Sequence, residues 1–381
     1  MTSKERVEAV FDGRAPDRVP VGHIAFSSKV ASAILGRTAY VGGGINQWRE
    51  ADALWKGPDA HAEFVERTFR DAVDIALATG CDLVRPYYWR DARKPAQRID
   101  EFTFRYQGGD GSWEVKRLDV ETELYNVVDG SVGAEPTLED LEREVERQEE
   151  RAETYQPPDG LFAEERRAVE LLGETHAIRC RGPWTAIPVG SVAWMQATAL
   201  RPDLVARLLD TQVAESIKHI DAVTALGGVL LFGGGDMASD HGPMYSPRVF
   251  HELLLPRLRT VSDYCHRLGA RHLFGTDGNV WPVAPDLYGA SGIDGHYEVD
   301  RRAGMGLVKI HASYPQITLI GNISSFTLHT GTPDDVRAET RACIEEAKAT
   351  NKVVAGCSNI VICETPMANV DAMLETIAAY R

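Results

Sequence analysis

The stretch Arg271-His272-Leu273-Phe274-Gly275-Thr276-Asp277-Gly278-Asn279 decides the fold prediction. It follows an amphipathic helix that ends near Gly269, and it is typical of a short apolar strand that stops at a glycine-rich turn. A histidine at the carboxyl end of a strand, with an aspartate just beyond it, indicates a barrel enzyme, because barrel enzymes keep their catalytic groups there. His272 also has a plainer interpretation, as a core histidine that is hydrogen-bonded to the backbone.

Strands and helices alternate on both sides of this stretch. Candidate strands fall near residues 21, 82, 177, 229, 271, 293, 317 and 353, and helical patterns separate them. Eight strands alternating with helices predict an α/β fold, a (β/α)8 TIM barrel, with residues 1–381 as one domain. Residues 96–130 interrupt this pattern, because residues 102–106 and 113–117 alternate in polarity around a glycine-rich turn. We therefore predict a β-hairpin insertion at residues 96–130.

Composition narrows the class of protein. The net charge is −15, which argues against nucleic acid and against an anionic membrane surface as partners. No apolar run approaches the length of a bilayer span, and the chain begins directly with an amphipathic helix, so we expect neither a membrane segment nor a signal peptide. Six scattered cysteines without a CxxC pair predict free thiols in the cytoplasm. The oligomeric state is left open, with a homodimer as the candidate.

Polar and aromatic side chains follow most of the predicted strands, and in a barrel these positions converge on one mouth. We expect Asp236 and His272 to be catalytic, although Asp236 could simply cap its glycine-rich loop. The expected substrate-binding residues are His23, Arg85, Tyr87, Tyr88, Trp184 and Asn322. His272, Glu298 and Cys357 offer a nitrogen, an oxygen and a thiolate, which is a ligand set that zinc accepts with a fourth position open. His296 stays open as an alternative ligand.

Several motifs, taken in order, resemble the uroporphyrinogen decarboxylase superfamily. They are 17–21 (DRVPV), 235–236 (GD) with 246–247 (SP), 321–324 (GNIS), 331–333 (GTP), 356–359 (GCSN) and 365–370 (TPMANV). The resemblance runs nearly end to end and implies a (β/α)8 barrel. The arginine-rich N-terminal run of the true decarboxylases and their aspartate after the second strand are both missing, which argues against tetrapyrrole decarboxylation.

Within that superfamily the chain is more similar to the cobalamin-dependent methyltransferases. Those enzymes, and the related methionine synthases, bind zinc through a His-x-Cys on one strand, a cysteine on the last strand and in some cases a glutamate. The resemblance implies these roles for His272, Cys357 and Glu298, whereas Phe274 stands where the first cysteine should be. A phenylalanine cannot ligate a metal. The remaining set is less rich in sulfur and favours a substrate that carries its methyl group on oxygen.

The resulting hypothesis is a zinc-dependent methyltransferase of the O-demethylase type. It would move a methyl group between a small methoxy substrate, with an aromatic one as a candidate, and the corrinoid (cobalamin) of a partner protein, with zinc polarising the ether oxygen. The alternative is a decarboxylase-like lyase that acts on a non-porphyrin carboxylate through Asp236, Arg85 and His272. A third hypothesis is a non-catalytic binding protein on the same barrel.

Overall fold

The computed structural model describes residues 1–131 and 135–381, in which parallel strands alternate with helices. The strands are β1 Ala25–Phe26, β2 Leu83–Val84, β3 Gln97–Arg98, β4 Thr103–Gln107, β5 Trp113–Asp119, β6 Leu124–Gly130, β7 Ala177–Trp184, β8 Leu230–Gly234, β9 Ala238–Ser239, β10 Gly242–Pro243, β11 Arg271–Gly275, β12 Gly295–Tyr297, β13 Thr318–Ile320, β14 Val353–Val354 and β15 Ile360–Val361. The α-helices are α1 Ser3–Phe11, α2 Ser28–Leu35, α3 Gly44–Lys56, α4 Pro58–Ala78, α5 Leu138–Thr154, α6 Ala163–Leu172, α7 Val192–Leu200, α8 Pro202–Thr224, α9 Pro247–Val249, α10 Leu255–Arg267, α11 Ala284–Leu287, α12 Leu307–Ser313, α13 Ser325–Thr330, α14 Pro333–Thr350 and α15 Met367–Tyr380.

The parallel strands form a closed barrel. Seven of them lie side by side in the order β14-β13-β12-β11-β8-β7-β2. The segment around Val21 fills the gap between the two ends of this sheet. The N–H of Leu83 donates to the carbonyl of Val21 at 3.0 Å, and the N–H of Gly22 donates to the carbonyl of Ala355 at 2.9 Å. The predicted (β/α)8 barrel is confirmed, with a strand or bridging segment at each of the eight expected positions.

Local sequence signals explain where several helices begin. Thr332 and Asp335 form a capping box at the start of α14, and Pro333 occupies its first turn. Thr137 and Asp140 form the same motif at the start of α5. Of the helices in the described ranges, none is both long enough and apolar enough to cross a bilayer.

The insertion is a four-stranded antiparallel sheet with the order β3-β4-β5-β6. Its central pair, β4 and β5, is the predicted hairpin, and β3 and β6 extend it on either side. The face toward the barrel carries Phe104, Tyr106, Leu118 and Tyr125, which pack together with Ala51 of α3. The sheet therefore has a small apolar core of its own, built against a helix of the barrel.

Glu123 fastens this sheet to the barrel. It lies in the turn before β6 in a left-handed conformation, with φ of 57°. Its two carboxylate oxygens accept the backbone N–H groups of Ser28 and Lys29, both at 2.8 Å. These N–H groups belong to the first turn of α2 and have no partner within that helix.

Replacing Glu123 with Ala should lower the free energy of unfolding by about 1–3 kcal/mol, because one buried and one partly buried N–H group lose their acceptors. Urea denaturation followed by circular dichroism measures this loss. Glu123→Gln keeps one acceptor oxygen and should lose less. Equal stability of the wild type and the Ala variant would show that the contact does not hold the sheet.

Candidate active site at the barrel mouth

A polar pocket lies at the carboxyl ends of β11, β12 and β13 and beside the loop after β14. Its volume is about 80 Å³. The lining residues are Asp277, Glu298, Asp300, Arg302, Ser324, Ser325, Phe326, Ser358 and Asn359. Barrel enzymes place their chemistry at this end of the strands. The three carboxylates in the lining make the pocket a candidate site for proton transfer.

Glu298 is the carboxyl group of this pocket with the largest shift in acidity. It directly follows β12, is half-buried, and adopts a left-handed conformation with φ of 67° that is uncommon for a residue with a side chain. Burial raises the pKa of Glu298 to about 7; Arg179 opposes the rise, while Asp236 and Asp277 add to it. A carboxyl group with this pKa is partly protonated at neutral pH and can act as an acid or a base.

Two aspartates share the mouth with Glu298. The Nδ2–H of Asn359 donates to Asp277 at 3.0 Å, and burial, together with the charge of Asp236, raises the pKa of Asp277. Asp236 follows the three glycines 233–235 and is exposed at the rim. The structure thus places the expected catalytic residue Asp236 beside the pocket, where its charge acts on Glu298 and Asp277.

Two arginines lie inside the barrel near Glu298. The register pairs Val84 with Ile178, so that the next residues, Arg85 and Arg179, are neighbours on β2 and β7. The guanidinium of Arg179 lies 4.7 Å from the ring centres of both Phe232 and Tyr297. Those aromatic residues belong to β8 and β12, so this cluster lies in the interior of the barrel.

Tyr297 crosses the barrel interior because Gly275 lacks a side chain. Its hydroxyl donates to the carbonyl of Gly233 on β8 at 2.6 Å, which takes the side chain past the intervening strand β11. A Cβ atom on Gly275 would overlap the ring of Tyr297. Gly275 and Tyr297 are paired in register, as are Phe274 and His296, so alternate residues of β11 face the interior and the helices.

This alternation takes His272 away from the mouth. The Nδ1 atom of His272 lies 2.9 Å from the hydroxyl oxygen of Ser262 on α10 and shares a hydrogen bond with it. The side chain is almost fully buried, and burial, with a smaller effect of His266, lowers the pKa of His272 to about 3. The alternative interpretation of His272, a core histidine, describes this placement, although its partner is a side chain and not the backbone.

Cys357 and His23 lie next to one another at the start of the loop after β14. The backbone N–H of Cys357 donates to Nδ1 of His23 at 3.2 Å, and burial lowers the pKa of His23 to about 4. Burial also raises the pKa of the Cys357 thiol to about 12. Glu339 of α14 adds to this rise.

The side chains of His272, Glu298 and Cys357 therefore do not fit one zinc ion. Within residues 1–131 and 135–381, no three His, Cys, Asp or Glu side chains are grouped closely enough to hold a metal. His296, the alternative ligand, uses both ring nitrogens, one with the hydroxyl of Tyr288 at 2.7 Å and one with the carbonyl of Thr276 at 2.9 Å. The zinc site stays a prediction that these four residues do not support.

The aromatic candidates after β2 and β7 have different environments. Tyr87 is buried between two guanidinium groups, Arg85 at 5.1 Å and Arg181 at 4.7 Å from its ring centre. The hydroxyl of Tyr88 accepts the backbone N–H of Phe26 at 3.2 Å, which is a structural contact. Trp184 is 57% exposed at the rim. Of these three, Trp184 is exposed and lies close to Gly235, just before Asp236.

Asn322 is fully buried, and both the oxygen and the nitrogen of its side-chain amide form hydrogen bonds within the protein. Its Oδ1 accepts from Arg301 at 3.1 Å, and its Nδ2 donates to the carbonyl of Met305 at 3.4 Å. Both partners belong to the segment between β12 and α12. Asn322 therefore holds this segment, and the structure does not aim its amide at the pocket.

Arg179 and Asp300 are two charged residues of this region that sequence reasoning missed. Arg179 carried a signal, because a charged residue within the apolar strand at 177–180 is rarely buried without a reason. Asp300 had none, because it lies in the short segment after β12, where aspartates commonly cap turns; it does so here for the backbone N–H of Arg302.

The sequence profile of the Uroporphyrinogen decarboxylase (URO-D) family matches residues 172–380, which is more than half of the chain. The chain belongs to this family. The matched region of the URO-D domain includes Arg179, Asp236, Asp277 and Glu298, whereas Arg85 lies outside it. A search of curated proteins found no match.

A solved structure supports the URO-D fold over the whole length. The "methyltransferase from Methanosarcina mazei" is 20% identical, covers 100% of this chain and 99% of its own, and superposes with a TM-score of 0.65. At this identity the similarity shows the fold alone. The "xylose isomerase-like TIM barrel/4-hydroxyphenylpyruvate dioxygenase fusion protein" (14% identity, 50% of this chain and 24% of its own, TM-score 0.23) and Dispersin B (12%, 81% and 92%, TM-score 0.29) are too dissimilar to carry an argument.

Proposed function

We propose that this URO-D family protein is a methyltransferase that removes a methyl group from the oxygen of a small methoxy substrate, and that Glu298 protonates this oxygen as the methyl group leaves. The observation that carries the proposal is Glu298 itself, a half-buried carboxyl group at the barrel mouth with a pKa of about 7. An acid with a pKa near the working pH is the most effective proton donor. The methyltransferase of the same fold supports the reaction class.

The chain's own part in this reaction is proton transfer and charge control. The bond between oxygen and methyl breaks with its electron pair left on oxygen, and that oxygen takes the proton of Glu298. The ionised carboxylate that results is stabilised by the nearby charge of Arg179. Because Glu298 is only half-buried, it can recover a proton from solvent.

The methyl acceptor in this proposal is the corrinoid of a partner protein, which when bound supplies a cobalt nucleophile. The rim fits a flat, largely apolar ring system, because large aromatic side chains are exposed around it. Trp184 is 57% exposed, Phe326 49% and Trp89 41%. Aromatic side chains are more frequent at interaction sites than on the rest of a protein's surface. Zinc polarisation of the substrate oxygen is not needed for this chemistry, because Glu298 supplies the acid.

The proposal is tested with free cob(I)alamin as the acceptor and a panel of methoxybenzoates as donors. We expect methylcobalamin to form, which is followed by its absorbance, together with the matching hydroxybenzoate. Glu298→Gln should remove both products. If no methoxybenzoate loses its methyl group with either free cob(I)alamin or a corrinoid protein from the same genome, the proposal is wrong.

A carboxy-lyase is the second candidate, and one observation favours it. Arg85 and Arg179 are buried together, and among the described residues neither has a carboxylate oxygen within 4.0 Å. Two such cations suit a carboxylate substrate, and Glu298 would then protonate the carbon from which CO2 leaves. Release of ¹³CO2 from a labelled acid, without any corrinoid, would favour this reaction over methyl transfer.

A further inference from the structure

We infer that Arg179 and Arg85 form a subsite for the carboxylate group of a small organic acid, inside the barrel beside Glu298. This inference names the substrate class of the proposed active site, and its role in catalysis rests on the proposed function. The binding claim itself stands on the contacts of the two arginines.

The described chain has three buried arginines, Arg6, Arg85 and Arg179, each 7–8% exposed. Arg6 has two carboxylate partners, Asp17 at 2.6 Å and Asp82 at 3.0 Å. Arg85 and Arg179 have none within the described residues at that distance. The charge of Glu298 acts on Arg179 without direct contact. A buried cation that no carboxylate touches is costly, so a ligand carboxylate can supply the missing direct contact.

The two arginines differ in how their N–H groups are used. Arg85 donates from Nε to the carbonyl of Tyr87 at 2.8 Å and from Nη1 to the carbonyl of Ile24 at 3.0 Å, and neither acceptor carries a charge. The Nε of Arg179 is buried and has no hydrogen-bond partner. The backbone contacts hold Arg85 in place, and the unpaired Nε of Arg179 remains for a further acceptor.

The surroundings of Arg179 favour a carboxylate over a phosphate as the bound anion. Aromatic rings of Phe232 and Tyr297 flank the guanidinium of Arg179, so an acceptor reaches it along its planar edge, which the hydroxyl of Tyr87 also approaches. Such an edge matches the two oxygens of a carboxylate. Glu298, Asp277 and Asp236 surround the entrance with negative charge. These carboxylates disfavour a doubly charged phosphate more than a singly charged carboxylate.

The test is isothermal titration calorimetry on the full chain with benzoate, with benzamide as its neutral counterpart, and with inorganic phosphate. We expect benzoate to bind and benzamide to bind at least about tenfold more weakly, because charge-assisted hydrogen bonds are the stronger kind. Arg179→Gln should weaken benzoate binding by about tenfold or more. The affinity of Arg179→Lys for benzoate should lie between those of the wild type and Arg179→Gln. Arg143→Gln removes an exposed positive charge from the surface helix α5, outside both the pocket and the subsite, and should change affinity by less than about twofold.

Three results would overturn the inference: equal binding of benzoate and benzamide, unchanged benzoate binding in a folded Arg179→Gln or Arg179→Lys variant, or tighter binding of phosphate than of benzoate. Circular dichroism establishes that each variant is folded. The titration contains no methyl acceptor, so absent methyl transfer with intact benzoate binding contradicts only the proposed function. If methyl transfer occurs but the protein binds benzoate no better than benzamide, only the proposed carboxylate subsite is contradicted.

Discussion

Replacing Glu298 with Gln is expected to lower kcat by about 10²–10⁴-fold, the usual contribution of a general acid. Glutamine keeps the size and hydrogen-bonding groups of the side chain but cannot donate a proton to the leaving oxygen. In the wild type, burial raises the pKa of Glu298 to about 7, so the protonated fraction, and kcat with it, should fall as the pH rises through about 7. This alkaline fall should be absent from the residual activity of Glu298→Gln.

Asp236→Asn provides the matched comparison. Asp236 is exposed at the rim, and its negative charge contributes to the raised pKa of Glu298. Removing that charge should lower the pKa of Glu298 and move the alkaline fall of kcat to lower pH, with a smaller loss of kcat at pH 6. If Asp236→Asn removes activity as completely as Glu298→Gln while the pH profile stays in place, Asp236 is the acid and the assignment to Glu298 is wrong.

Replacing Asp82 with Ala is expected to lower the free energy of unfolding by about 3–5 kcal/mol, the cost of breaking a buried ion pair from one side. Asp82 is fully buried where the barrel closes. It accepts the backbone N–H of Val21 at 2.9 Å, and its carboxylate lies 3.0 Å from the guanidinium of Arg6 and 3.2 Å from that of Arg381. The substitution leaves the Val21 N–H without its acceptor, Arg381 without this carboxylate, and Arg6 with Asp17 as its remaining carboxylate partner.

Asp17→Ala is the control for this experiment, because Asp17 is the other carboxylate partner of Arg6 but is partly exposed. Exposed ion pairs contribute about 1 kcal/mol or less. Urea denaturation of the two variants should therefore give clearly different midpoints. Similar losses in Asp17→Ala and Asp82→Ala would contradict the idea that Asp82 holds the closing strand.

The barrel could be predicted from the sequence because its strands are apolar and its helices carry strong start signals. Leu230 to Phe232, before Gly233, and Leu273 with Phe274, before Gly275, are short buried apolar runs, as expected for strands buried on both faces. The extra strands of the insertion were not predicted. β6 in particular carries exposed valines, Val127 and Val128, and lacks the alternation that the hairpin shows.

The site could be predicted only in part, because alternation along a strand cannot be assigned to faces without knowing the register. His272 lies near the start of β11 and turns toward Ser262, whereas Gly275, three residues later, faces the barrel interior. Glu298 was singled out as a ligand, and the structure places it at the mouth beside Asp277. Arg179 becomes a candidate binding residue only because the register places it beside Arg85, which directly follows the neighbouring strand β2. The two residues are far apart in the sequence, so the sequence does not show this pairing.

The most direct test of the central claim is the acidity of Glu298, measured by ¹³C NMR titration of carboxyl-labelled protein, with the Glu298→Gln variant used to assign the signal. We predict a midpoint near pH 7, because burial and the charges of Asp236 and Asp277 outweigh Arg179. A midpoint near 4.5 or below would leave no proton on Glu298 at neutral pH, and it would contradict the role of Glu298 as the acid of this site.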